Sequence, residues 1–244
     1  MEIMKLIPSG KDYLWGGTRL KDEYGKKIDM NPLAESWECS VHPDGPCYVA
    51  NGRYKAKTLK EVLDEHPEYI GTKANGEFPI LAKFIDAKKD LSVQVHPDDE
   101  YAREKEQDNG KTEMWYIIDA AEDATMYMGF KKDVSAREFY DACKSGTADK
   151  LLNVIHPKKG DVYYINPGTV HAADKGILVC EIQESSDITF RLYDWGRELN
   201  PATARKTHLD EAIELIDYKT YTPAGMHSGP KETKASVFWY EESD

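Results

Sequence analysis

The sequence predicts a mainly β protein, a sandwich or barrel of short strands with a few helices laid around it. Three observations carry that prediction. Eight short runs rich in β-branched and aromatic residues, between residues 47 and 195, are separated by turn residues. Only four segments show helical signatures. Hydrophobic residues make up 40% of the 244 and aromatics 11%, which suits a packed core rather than a disordered chain.

The start, MEIMKLIPSGKDYLWGG, has no long apolar stretch and no small-residue cleavage site, so no secretory leader is expected. No apolar run approaches the roughly 18 residues of a membrane span. The expected strands are CYVA (47–50), PILAKFIDA (79–87), LSVQVH (91–96), EMWYIID (113–119), ATMYMGF (124–130), DVYYINPG (161–168), GILVCEIQ (176–183) and ITFRLYDW (188–195). Thr58-Leu-Lys-Glu61 is a capping box opening TLKEVLDEH, and Ser135-Ala-Arg-Glu138 opens SAREFYDACKSG in the same way. A short helical turn is expected after Pro97 in DDEYAREKE, and an amphipathic helix in HLDEAIELIDY (208–218). Residues 1–218 read as one domain. Residues 219–234 are turn-rich and polar, a connector, and ASVFWYEESD behind them is strand-like at its start and charged at its end.

Net charge is −12, which argues against a general nucleic-acid binder but leaves room for an anionic small molecule held by a few local cations. Cys39, Cys47, Cys143 and Cys180 contain no C-x-x-C pair, so reduced thiols in a cytoplasmic protein are expected. Any metal site belongs among His, Glu and Gln.

Four segments place polar groups where apolar ones would serve the fold. In Leu91-Ser-Val-Gln-Val-His96, alternation puts Ser92, Gln94 and His96 on one face. That face is either solvated or a site. In Gly160-Asp-Val-Tyr-Tyr-Ile-Asn-Pro-Gly168-Thr-Val-His171, the Pro-Gly turn holds His171 at a defined mouth, unless the turn is an ordinary hairpin. Glu113 opens the apolar run EMWYIID; a carboxylate entering a core needs a cation or a metal, whereas one at a surface strand end does not. Glu181 and Gln183 share a face in ILVCEIQ, and Arg191 sits between Phe190 and Leu192; each lies on a solvated sheet face or in a site. Together His96, His171, Glu113 and Gln94 form a donor set suited to a zinc-like ion with an open position. His42, His66, His156, His208 and His227 lack such a strand-plus-turn context.

These residues resemble the compact bacterial form of the type I mannose-6-phosphate isomerases. The strings that carry the resemblance are AESWECSVHPDGP, VANGRYKAKTLKEVL, FPILAKFIDAKKDLSVQVHPDDEYA, GKTEMWYIID, GDVYYINPGTVHA and EIQESSDITFRLYDWGR, in order over most of the chain. The resemblance implies a cupin jelly roll and one Zn2+ held by Gln94, His96, Glu113 and His171. It also places Ser92, Lys111, Glu181 and Arg191 around the substrate. Larger members carry a His immediately before the motif Lys, where this chain has Gly110. Compact members continue into a second cupin barrel, of which ASVFWYEESD reads as the first strand.

The reaction implied is interconversion of mannose 6-phosphate and fructose 6-phosphate through an enediol or enediolate. Arg191 would add a fixed cation beside the reacting carbons. The base is Glu181, Lys111 or a hydroxide at the ion. Phosphate contacts are expected from Ser92, Lys111 and Arg197, although a surface ion pair serves Arg197 equally well. Trp15, in Trp15-Gly-Gly17, either walls the site or packs on the barrel end. The competing reading is a non-catalytic cupin that senses a sugar or sugar phosphate. The sequence leaves the oligomeric state open.

Overall fold

The computed structural model describes residues 3–71 and 77–221. Its strands are β1 (Leu6–Ile7), β2 (Ser9–Lys11), β3 (Glu35–Cys39), β4 (Tyr48–Val49), β5 (Ile80–Ala87), β6 (Val93–Val95), β7 (Glu113–Ala120), β8 (Met126–Phe130), β9 (Leu152–Ile155), β10 (Val162–Ile165), β11 (His171–Ala173), β12 (Ile177–Glu184) and β13 (Phe190–Tyr193). The larger sheet runs β10-β7-β12-β5-β3-β2 and the smaller β13-β6-β11-β8-β9, with antiparallel neighbours throughout.

Alternation explains how the sheets meet. Along β7, Glu113, Trp115 and Ile117 point inward and are buried. Ile85, Trp115, Ile117 and Val179 of the larger sheet form one cluster with Met126, Met128, Ile155 and Ala173 of the smaller. Each such apolar side chain contributes about 1.5–3 kcal/mol on burial, so this shared face holds the sandwich together. The result is the expected jelly roll, and all eight expected strands are present. Five more were not foreseen: β1, β2, β3, β9 and β11. They are short, and β2 and β3 are largely polar (Ser-Gly-Lys and Glu-Ser-Trp-Glu-Cys). Pairing rather than propensity makes them strands: β3 covers the edge of β5, and β11 fills the gap between β6 and β8.

The outer face of the smaller sheet is also covered. Val93, Val95, Phe190 and Leu192 pack on Phe139 and Cys143 of one helix and on Leu209 and Ala212 of another. The helices are α1 (Arg19–Asp22), α2 (Leu59–Glu65), α3 (Asp99–Tyr101), α4 (Ala136–Lys144) and α5 (Leu209–Ala212). At α2 the capping box is complete: Thr58 Oγ1 accepts from Glu61 N at 3.1 Å, and Thr58 N donates to the Glu61 carboxylate at 2.7 Å. At α4 only half forms, because the Glu138 carboxylate turns to Lys132 at 3.0 Å. α3 is capped by Asp98 and runs into a wider π turn over Ala102–Glu106.

The helix expected over 208–218 shrinks to the single turn α5. Past it, Asp217 N donates to Gly168 O and Val134 N to Tyr218 O, which draws the chain onto the Pro167-Gly168 turn. Leu209, Ala212 and Ile216 remain buried, so the amphipathic pattern is satisfied without a long helix. Of the connector, residues 219–221 are seen, tied to Asp133 and Phe130. The rest of it and the expected tail strand lie outside the described residues. No described helix is long and apolar enough to cross a membrane. All four cysteines are free thiols, with Cys47 and Cys143 buried.

Candidate metal centre and active site

Two ladders of side chains, one on each inner face, build the site. On the smaller sheet Arg191, Gln94 and His171 are direct neighbours across β13, β6 and β11. His96 follows β6, and the Pro-Gly turn ties it to the same region: Gly168, with φ of 80°, donates its N–H to His96 O at 2.9 Å. A side chain at 168 would be strained in that backbone conformation. On the larger sheet Trp115, Glu181, Lys83 and Trp37 are neighbours across β7, β12, β5 and β3, with Glu113 two residues before Trp115.

The two ladders meet at His96, Glu113 and His171, each about 1% exposed or less. His96 Nε2 lies 3.1 Å from Glu113 Oε1, and His171 Nε2 lies 3.5 Å from Glu113 Oε2. Backbone carbonyls settle the tautomers. His96 Nδ1–H donates to Ile188 O at 2.8 Å and His171 Nδ1–H to Thr169 O at 2.9 Å, so both Nε2 lone pairs face the carboxylate. Burial, with Lys111 beside it, pushes His96 down to about 3, which keeps it neutral. Burial works against ionisation of Glu113, but His96 and the Lys111 ammonium, 3.3 Å away, hold that carboxyl well below its ordinary value. Two imidazole Nε2 atoms and an anionic carboxylate thus point at one another. His96 Nε2 and Glu113 Oε2 are buried without a hydrogen-bond partner among the described residues. Acceptors in that arrangement repel unless a cation sits among them, so the donor set fits a metal ion. The Gln94 amide, 3.2 Å from His171 Nε2, adjoins the set.

Beside the cluster opens a polar cavity of about 220 Å³. Of the expected site residues, Trp15, Ser92, Gln94, Lys111, Glu113, Glu181 and Arg191 line it, while His96 and His171 are buried at the cluster. Trp15 both packs into the core and walls the cavity, because Gly16 and Gly17 bring its segment against Ala34 and Asp86 where no Cβ would fit. Arg197 is not among the lining residues; its guanidinium is held by Asp194 at 2.7 Å. Gly110 stands where a Cβ would run into the backbone of Asp98 and Asp99, so no larger side chain has room there.

Several lining residues were not anticipated: Tyr13, Glu35, Lys83, Arg205 and His208. Lys83 is 5% exposed and lies 3.3 Å from Glu181 Oε1 and 3.5 Å from Glu35 Oε2. Burial opposes its charge, yet Glu181 and Glu35 together keep it above the ordinary lysine value. Burial, reinforced by the Glu113 charge, pushes the Glu181 carboxyl up to about 8. The alternation Leu81-Lys83-Ile85-Ala87 was the available signal for Lys83, a cation on an apolar face. Arg205 and His208 lie in an aperiodic loop that carries no comparable signal.

The catalytic-domain profile of type I phosphomannose isomerases matches residues 3–131. A probable mannose-6-phosphate isomerase of Bacillus subtilis is 42% identical over 98% of this chain and 76% of its own length. Across four bacterial relatives the chain spans 66% to 76% of their lengths. The crystal structure of the Bacillus subtilis mannose 6-phosphate isomerase superposes with a TM-score of 0.84 at 42% identity, over 91% of this chain and 70% of that one. A zinc-bound mannose 6-phosphate isomerase shares the fold at 18% identity, with a TM-score of 0.67 over 89% of this chain and 75% of that one. With its profile match over more than half its length and a 42% identical relative covered to three quarters, this chain belongs to the type I phosphomannose isomerase family.

Proposed function

We propose that the chain interconverts mannose 6-phosphate and fructose 6-phosphate, moving a proton between C1 and C2 through an enediolate. The observation that carries this reading is the convergence of His96, Glu113 and His171 beside a cavity that also holds Lys111, Glu181 and Arg191. His96, Glu113 and His171, with Gln94, would hold one divalent cation, and two imidazoles, a carboxylate and an amide suit Zn2+. Bound there, the ion would supply Lewis acidity toward the sugar oxygens.

The chain's own residues account for the rest. Glu181, with its carboxyl near 8, takes the carbon-bound proton and returns it to the neighbouring carbon. Lys83 contacts Glu181 Oε1, and its charge favours the ionised carboxylate against the pull of burial. Arg191 stands next to Gln94 with its Nε buried and without a hydrogen-bond partner among the described residues, a fixed cation for charge developing on the enediolate oxygen. Lys111 steadies the ionised Glu113 and is placed to donate to a sugar oxygen. Ser92 adds a hydroxyl to the lining, and Trp15 and Trp115 add its aromatic wall. Residues 1–218 form the catalytic unit in this reading, and free thiols with a phosphorylated sugar as substrate suit the cytoplasm.

The test is a coupled assay for fructose 6-phosphate on metal-analysed protein. Turnover proportional to bound divalent ion is expected. Binding of mannose 6-phosphate, seen as a thermal shift, with no fructose 6-phosphate formed would overturn the isomerase reading and leave the sugar-phosphate sensor.

A further inference from the structure

We propose that Arg205 anchors the phosphoryl group of the sugar phosphate; this rests on the isomerase reading above and names the residue that sets its preference for a phosphorylated sugar.

The wall of the cavity beyond Arg191 is a strap, residues 205–208, sewn onto β13. His208 N donates to Arg191 O at 2.7 Å, Arg191 N to His208 Nδ1 at 3.1 Å, and Arg191 Nη1 to Lys206 O at 2.8 Å. Arg205 is fixed further by Asp194, which is fully buried. Arg205 Nε and Nη2 donate to the two Asp194 oxygens at 3.0 and 2.6 Å. That grip uses one side of the planar guanidinium and leaves Nη1 with no hydrogen bond to any described residue. Arg205 and Arg191 both line the cavity, whereas Arg197, the second guanidinium on Asp194, does not.

The charges here do not balance. Arg197 and Arg205 share the single carboxylate of Asp194, and Arg191 lies near enough to feel all three charges, in a chain of net charge −12. The crowding is felt: burial first, and then Arg205, lowers the affinity of Arg191 for its proton. Asp187, the other acid on this side of the lining, leans toward Lys11 at 3.9 Å. An excess of preorganised guanidinium donors facing a polar cavity is a site for a dianion with several acceptor oxygens. A hexose 6-phosphate carries that group at the opposite end from C1 and C2. Arg191 is the immediate neighbour of Gln94 in the ladder, so the strap lies on the far side of Arg191 from the metal donors. Strap and metal donors therefore flank Arg191, which is the order in which the 6-phosphate and the C1–C2 end of one hexose phosphate would lie.

The experiment compares R205Q, R205K and R197Q in the metal-loaded enzyme, with inorganic phosphate as a second probe. R205Q should raise KM for mannose 6-phosphate about 10- to 100-fold while kcat stays within about threefold, the pattern of lost binding to a group remote from the reaction. Inhibition by inorganic phosphate should weaken in parallel, and R205K should recover part of both effects. R197Q removes the other guanidinium from Asp194 outside the cavity, and it should leave KM and phosphate inhibition at wild-type values. Unchanged KM and phosphate inhibition in R205Q would overturn the assignment. So would equal changes in R205Q and R197Q, which would locate the effect in the packing of Asp194. Should the wild type form no fructose 6-phosphate, the isomerase reading fails separately. Thermal stabilisation by inorganic phosphate, present in the wild type and lost in R205Q, still decides the anion site.

Discussion

Replacing Lys83 by Met should destabilise the protein by about 3–5 kcal/mol, the usual cost of deleting one partner from a buried ion pair. Lys83 is 5% exposed, and its ammonium faces Glu181 at 3.3 Å and Glu35 at 3.5 Å. At an effective dielectric near 20, each pair at this distance is worth about 5 kcal/mol of attraction, much of it offset by the loss of hydration on burial. Met keeps the length of the side chain and removes the charge, so the cavity is not reshaped but two carboxylates lose their cation. Glu35 retains the Trp37 indole N–H, which donates to its Oε2 at 2.7 Å. Glu181 retains no comparable donor, since its Oε1 has no hydrogen-bond partner among the described residues. The loss should therefore be carried mainly by Glu181. Removing that charge as well, in K83M/E181Q, should restore about 1–3 kcal/mol, a coupling typical of contacting residues. Urea denaturation of metal-loaded K83M, E181Q, the double variant and the wild type at about pH 9, above the Glu181 value of about 8 so that this carboxyl is ionised, measures all four corners. A loss below about 1 kcal/mol in K83M, or additivity within about 0.5 kcal/mol, would refute the argument that Lys83 compensates Glu181.

Four other outcomes follow from the geometry. Chelation should abolish activity and lower Tm, and H171A should lower metal stoichiometry and activity together; full metal content in H171A would remove His171 from the ligand set. R191A should lower kcat far more than metal content, and wild-type turnover in that variant would end its proposed role. The Glu181 carboxyl is raised from 4.5 to about 8, so the folded state holds this proton more tightly than the unfolded chain. Its contribution to stability is full below about pH 4.5, declines as pH rises to about 8 and is constant beyond. If Glu181 is the base, kcat/KM rises with pH through the same group, and E181Q should lose that ascending limb. Finally, G110A should cost about 2 kcal/mol or more in urea denaturation, because the new methyl meets the Asp98–Asp99 backbone rather than a movable side chain.

The proposed metal donors were legible in the sequence because each broke a local rule. Ser92, Gln94 and His96 put three polar groups in alternation beside Pro97, and Glu113 opened an apolar strand. The second ladder was less legible. Lys83 interrupts the inward face Leu81-Lys83-Ile85-Ala87, but its partner Glu181 comes from β12, and register between strands so far apart in the chain leaves no local trace. β3 escaped notice for a related reason: Glu-Ser-Trp-Glu-Cys reads as a polar loop until β5 supplies its hydrogen bonds. The helix over 208–218 failed in the opposite sense. Its apolar spacing is real and its residues are buried, but the Gly168 turn captures the Asp217 backbone first. Arg205 and His208 lie where no periodicity operates, and only the bonds to Asp194 and Arg191 show which way they are held.

The site and the core are specified by one pattern. In an antiparallel ladder a slip of a single residue sends every side chain to the other face. A slip of β6 against β11 would turn Gln94 into the apolar layer under the helices and Val93 and Val95 inward, away from Phe190 and Leu192, with which they now pack. The apolar contacts that fix register therefore also fix the position of the donors, without any energy being spent on the donors themselves. What remains uncompensated is the set of acceptors at the junction. His96 and His171, their Nδ1–H groups held by backbone carbonyls, aim Nε2 at the Glu113 carboxylate, and His96 Nε2 and Glu113 Oε2 have no hydrogen-bond partner among the described residues. A sandwich stabilised only by its apolar face would select against such a set, since buried acceptors facing one another oppose closure. A cation shared by His96 and His171 from one sheet and Glu113 from the other removes that opposition at the junction of the two, so occupancy of the metal site and closure of the sandwich should stand or fall together.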